Sequence, residues 1–122
     1  KEAAYAPYSK FRVGAALLSE DGTIFKGCNV ENASYGAAIC AERTAYVKAL
    51  SEGHKNFKAL VVTTDQTEHV SPCGICRQFI SEFGPASLPV FLINVKGESF
   101  PTTLGELLPH SFALEQGNKY LM

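Results

Sequence analysis

The sequence predicts an α/β domain: a three-layer α/β/α sandwich around a mixed, roughly five-stranded sheet. Three observations carry that prediction. Residues 57–64 and 89–95 are nearly continuous in apolar and β-branched side chains, as strands buried on both faces are. A helical pattern precedes each of them, over 37–52 and 74–83. An Asp21-Gly22 turn signal joins two short strand patterns near the start. Hairpin, helix, strand, helix, strand is the order of an α/β domain with helices covering both faces of the sheet.

Taken in order, residues 2–8 resemble the tail of a helix, ended by Pro7 and the Ser9 region. Residues 11–18 form the first expected strand, with Val13, Ala15 and Leu17 alternating with Arg12, Gly14, Ala16 and Leu18. Small residues on that second face suggest close packing against a helix. Residues 23–28 return as the second strand, and 29–36 are polar enough to read as a loop. In the 37–52 helix, Ile39, Ala45, Tyr46, Ala49 and Leu50 make the buried face, and Gly53 is the stop. Gly84-Pro85 ends the second helix, and a turn at 96–98 follows the 89–95 strand. A short edge strand at 98–101 and a short helix at 103–108 complete the pattern, with Pro109 ending the helix.

The 122 residues suffice for one domain and one core. A net charge of −1 with no basic run argues against a nucleic-acid surface. No apolar stretch is long enough to span a membrane. The chain starts at Lys1 without Met, so the expectation is a single domain, 1–122, whose N-terminus is incomplete. Four cysteines without a secretory context point to a reducing compartment, a cytoplasmic location, and metal or thiol chemistry.

That chemistry centres on Ser71-Pro72-Cys73-Gly74-Ile75-Cys76-Arg77-Gln78. Residues three apart on a helix share a face, so Cys73 and Cys76 can converge on one metal ion. A third donor is available in Cys40-Ala41-Glu42-Arg43, which opens the earlier helix. Three thiols beside a carboxylate make a zinc site with one position open, unlike a structural site closed by four protein ligands. A bare C-x-x-C is also compatible with a redox pair. Cys28 reads as a small apolar group in the core. Cys40 and Glu42, two apart, can share a site only if the metal lies off the helix N-terminus, so regular helix must begin close to Cys40. His54, His69 and His110 sit at element ends or in loops, and none reads as a ligand.

The pairing of C-A-E with P-C-x-x-C resembles the zinc-dependent cytidine deaminases in their small, all-cysteine form. The segments 11–16 (Phe-Arg-Val-Gly-Ala-Ala) and 29–32 (Asn-Val-Glu-Asn) resemble that family's opening strand and ribose-binding segment, in family order. The resemblance implies one Zn²⁺ per chain on Cys40, Cys73 and Cys76, and hydrolytic deamination of cytidine and 2′-deoxycytidine. It implies that Glu42 takes a proton from a zinc-activated water and delivers protons to N3 and the leaving amine. It assigns the backbone N–H of Ala41 to the pyrimidine 2-oxo group and the backbone carbonyl of Ser71 to the amine. Asn29 and Glu31 would hold the ribose 3′-hydroxyl, since residues two apart in extended chain lie on one side. Turn chemistry is the plainer account of both. Phe11 resembles the base-packing aromatic. Tyr35 and Phe112 resemble residues that reach a neighbouring site in the homotetrameric members, against simple packing.

Arg43 is expected from charge. Three thiolates on Zn²⁺ leave a formal excess of one negative charge, and Arg43, three residues after Cys40, can donate to sulfur. The plainer account is an exposed arginine. Competing functions are a structural zinc module, which needs a fourth protein ligand, and a deaminase of another aminated ring. The Asn29-x-Glu31 pattern favours a nucleoside, and the absence of a basic groove disfavours a polynucleotide.

Overall fold

The computed structural model describes residues 1–34, 38–66 and 74–108. It contains a five-stranded sheet in the order β2-β1-β3-β4-β5, formed by β1 (Val13–Ser19), β2 (Ile24–Cys28), β3 (Phe57–Thr64), β4 (Pro89–Ile93) and β5 (Ser99–Thr103). Helices α1 (Ala41–Ser51), α2 (Gly74–Ser81) and α3 (Leu104–Leu107) are interleaved with the strands. β1 is antiparallel to both β2 and β3, whereas β3 and β4 are parallel and β5 is an antiparallel edge. The expected α/β class and mixed five-stranded sheet are therefore what the chain adopts.

Because β1 opposes both neighbours, β2 and β3 point the same way. The crossovers β2–α1–β3 and β3–α2–β4 advance in one direction, and their usual right-handedness puts α1 and α2 on one face. The core agrees. Fully buried Tyr46 of α1 packs edge-on against Phe57 of β3 at 5.2 Å and Phe79 of α2 at 6.3 Å. Ala15, Leu17, Leu60, Val62, Val90 and Leu92 line the sheet beneath them. Both helices also begin at the same end of the sheet, beyond the carboxyl ends of parallel strands, where α/β folds place their ligands.

Local chemistry sets most boundaries. Gly22, at φ +91°, makes the β1–β2 turn, and Asp21 Oδ1 accepts from Thr23 N. α1 ends on Gly53 at φ +92°, with His54 N donating back to Ala49 O. Thr103 caps α3 by accepting from Glu106 N.

Several expectations are corrected. α1 starts at Ala41 rather than at residue 37, because Ile39 is extended and bridges Val30. Residues 2–8 form isolated turns rather than a helical tail, since Tyr5 is drawn alongside Val30: Tyr5 N donates to Asn29 O and Glu31 N to Tyr5 O. Cys28 is half-buried and alternates with Gly27, so it lies on the sheet face away from α1, opposite Gly14. The close approach to α1 falls on Gly27 instead. A Cβ there would sit 2.5 Å from Ala41 O and 2.6 Å from Ala45 N, so only glycine lets the helix lie against β2. Gly14 instead faces the backbone of Lys1.

Candidate active site

The start of α1 is where the first motif residues meet. Cys40 is the N-cap, in extended backbone (φ −74°, ψ 154°), and its side chain makes no capping hydrogen bond. The thiol therefore does not cap the helix, and it accepts from Arg43 Nη2 instead. Regular helix thus begins directly after Cys40, as the two-residue spacing of Cys40 and Glu42 led one to expect. Glu42 follows in the first turn with 4% of its surface exposed. A carboxyl so buried resists ionisation: desolvation raises its pKa, and the nearby Cys40 charge raises it further, partly offset by hydrogen bonding that includes Cys76 and by the charge of Arg43.

Arg43 points back to Cys40. Its Nη2 donates to Cys40 Sγ at 3.7 Å and to Ala38 O at 3.2 Å. The guanidinium is held even more firmly protonated, chiefly by the bond to Cys40, with Cys76 also contributing. Its Nε is buried without a hydrogen-bond partner among the described residues. Cys76, in the first turn of α2, is fully buried. Cys40, Glu42, Arg43 and Cys76 thus share one corner, between the starts of α1 and α2.

A metal can be tested against this corner by its donors. Two thiols, a buried carboxyl and a cation already aimed at sulfur fit a thiolate-bound Zn²⁺. Among the described residues, no three His, Cys, Asp or Glu side chains form a metal group by themselves. The expected third thiol, Cys73, lies outside the described residues, as do Ser71, Tyr35, His69, His110 and Phe112.

A second cluster lies beside the corner. A cavity of about 360 Å³ is lined, among the described residues, by Tyr8, Ser9, Glu31 and Ala38. Ala38 belongs to both, since its carbonyl receives Arg43. Asn29 fixes the approach to β1: its Nδ2 donates to Phe11 O at 2.8 Å, and its Oδ1 accepts from Val13 N at 3.0 Å. Glu31 accepts from Tyr8 N at 3.0 Å, Ser9 N at 3.1 Å and the Ser9 hydroxyl. These bonds, led by that of the Ser9 hydroxyl, hold its carboxyl below the usual range. Phe11, Asn29 and Glu31 are therefore brought together, with their polar groups engaged on the residue 8–13 backbone. Tyr8, Ser9 and Ala38 are the cavity residues that the sequence did not bring forward. A serine two places before Phe11 in a Pro-led turn is the only signal that could have found the second of them.

The comparisons with known proteins agree with this geometry. The family model described as the cytidine and deoxycytidylate deaminase zinc-binding region matches residues 1–92. A cytidine deaminase of Sporosarcina psychrophila is 57% identical over 115 residues, covering 94% of this chain and 85% of the relative. A cytidine deaminase of Halalkalibacterium halodurans is 50% identical over 118 residues, covering 97% and 89%. The 1.6 Å crystal structure of cytidine deaminase from Burkholderia pseudomallei superposes with a TM-score of 0.87 at 50% identity, over 91% of this chain and 89% of that one. The chain belongs to the zinc-binding cytidine and deoxycytidylate deaminase family.

Proposed function

We propose that this chain, as one domain, hydrolytically deaminates cytidine and 2′-deoxycytidine, a step of pyrimidine salvage. Water adds at C4 of the cytosine ring, ammonia leaves, and uridine or 2′-deoxyuridine remains. The observation that carries this reading is the buried Glu42 carboxyl, set between two thiols at a helix start and next to the cavity walled by Glu31.

Cys40, Cys73 and Cys76 would hold one Zn²⁺, which supplies an activated water when bound. Glu42 takes a proton and returns protons to N3 and the departing amine; burial, which raises its pKa, favours the protonated form that such a shuttle passes through. The Ala41 N–H, at the first position of α1, meets the 2-oxo group in this reading, and the Ser71 carbonyl is assigned to the amine. Phe11 packs on the base, while Asn29 and Glu31 recognise the 3′-hydroxyl. Arg43 offsets the excess negative charge of three thiolates.

The working form in this reading is a cytoplasmic homotetramer in which Tyr35 and Phe112 reach a neighbouring site. The exposed apolar ribbon of Tyr5, Val30 and Ile39, side by side through two β-bridges, supports association. Among the described residues, no helix is long and apolar enough to cross a membrane.

The test is the ultraviolet absorbance of cytidine incubated with the protein, with and without a zinc chelator. Conversion to uridine that chelation stops and added zinc restores is the expected result. Intact cytidine with zinc-loaded protein would overturn the proposal.

A further inference from the structure

We propose that Ser9 is a positioning residue for nucleoside recognition: its hydroxyl fixes the Glu31 carboxylate, leaving one acceptor direction toward the cavity for a sugar hydroxyl. The inference rests on the nucleoside reading above and adds a residue to it.

A carboxylate offers about four acceptor directions. In Glu31, Oε1 takes the N–H groups of Tyr8 and Ser9, and Oε2 takes the Ser9 hydroxyl. Three directions are filled, all by residues 8 and 9, and Glu31 lines the cavity. The Ser9 hydroxyl has one proton to give, and Glu31 receives it. In return, Ser9 Oγ accepts from Phe11 N at 3.0 Å. Phe11 O accepts from Asn29 Nδ2. One hydrogen-bond relay therefore runs from Asn29 through Phe11 and Ser9 to Glu31. It joins the three residues proposed to contact base and sugar, and Ser9 is the only member without such a role.

The backbone marks the same place. Lys10, between Ser9 and Phe11, has φ +61°, the only positive φ outside glycine among the described residues. That conformation costs a non-glycine residue about 1–2 kcal/mol. It persists because both sides are tied: Lys10 N donates to Ala6 O, and Ser9 Oγ clasps Phe11 N. Strain of this kind gathers where a structure holds groups ready for a ligand. Without the Ser9 hydroxyl, the Glu31 side chain regains rotamer freedom that a sugar must then remove on binding.

The test uses Ser9→Ala and Ser9→Thr in the full chain. Calorimetry measures binding of uridine and of 3′-deoxyuridine, and steady-state kinetics measure cytidine. Wild-type protein should prefer uridine by about 10-fold, the scale of one hydrogen bond to a charged group. Ser9→Ala should lose about that factor for uridine and nothing for the 3′-deoxy compound. For cytidine, KM should rise while kcat stays nearly constant, and Ser9→Thr should restore both affinity and KM. Unchanged uridine affinity in Ser9→Ala would overturn the proposal. So would an equal loss for both ligands, which marks general damage to the loop, or a failure of threonine to restore binding. Wild-type protein that binds uridine but leaves cytidine intact would refute the deaminase reading alone, and the Ser9 comparison would still be decided by binding.

Discussion

The two carboxylates of the proposed site, Glu42 and Glu31, sit in opposite physical circumstances. Glu42 is buried at the start of α1, and desolvation pushes its pKa up. Glu31 sits in a loop with three donors on its oxygens, which pull its pKa down. Burial favours a carboxyl that can hold a proton, whereas one held ionised can only accept hydrogen bonds. The difference lies in the supports. A helix packed on the core excludes water around Glu42, while backbone N–H groups and one serine surround Glu31. The buried corner works by excluding solvent and the loop shelf by replacing it.

Breaking the buried corner should have the largest effect. Glu42→Gln keeps size and hydrogen bonding but loses the proton, and turnover should fall by at least about 100-fold with fold and zinc retained. Circular dichroism, metal analysis and the cytidine assay check this together. Near-normal turnover would return Glu42 to a packing role.

Arg43→Ala tests how the corner balances its charge. Removing the donor 3.7 Å from Cys40 Sγ should weaken zinc retention or activity by about 10-fold, the low end for groups that support metal ligands. Chelator competition reads the first and kcat the second. Wild-type values in both would make Arg43 a helix-surface residue.

Gly27→Ala reaches the same corner from behind. The added Cβ would meet the α1 backbone at 2.5 Å, so the helix carrying Glu42 must shift, at a cost of about 1–3 kcal/mol. Thermal unfolding should show the loss, and activity should fall with it. Alanine tolerated at full stability would mean that α1 is not seated on β2 at this glycine.

The smallest effect belongs to the shelf side. Asp65 takes Arg12 through two bonds, 2.6 Å to Nε and 3.2 Å to Nη2, and Lys1 at 2.7 Å. Arg12, then Lys1, hold its pKa down to about 2. A depressed folded value means that the contribution is complete above about pH 4, the unfolded value, and fades as pH falls toward 2. Acid titrations of wild type and Asp65→Asn should therefore differ at neutral pH and converge across that window. Parallel curves would show that Asp65 contributes nothing through its charge.

The sequence was most legible where burial alone decides. Residues 57–64 read as a strand buried on both faces, and β3 has those bounds. The start of α1 was read too early because Ile39 fits a helical period, while its actual partner is Val30 across a loop, which periodicity cannot see. The same blindness to pairing made residues 2–8 look helical. Gly27 passed unnoticed since only the neighbouring helix shows why it lacks a Cβ. At the site, motif spacing brought forward Cys40, Glu42, Arg43 and Cys76, and the chain gathers these four. Ser9 stayed hidden because its role is a hydrogen bond across 22 positions of sequence.

The placement of β1 between β2 and β3, which run parallel to each other, gives its two pairings very different lengths of intervening chain. The β1–β2 hairpin closes through a three-residue loop, 20–22, on the scale of microseconds, whereas the β1–β3 pairing must close across the whole α1 crossover and is expected to form later. Cys76, fully buried in the finished domain, is expected to leave the solvent later still, when α2 docks beside α1. Until then its thiol stands open to oxidants, at the first rung of a ladder that ends in irreversible sulfonic acid. If Cys76 is protected last, yield in oxidising conditions should follow docking speed as well as final stability. Pulsed thiol labelling during refolding reads this directly, as protection of Cys76 that trails formation of the sheet.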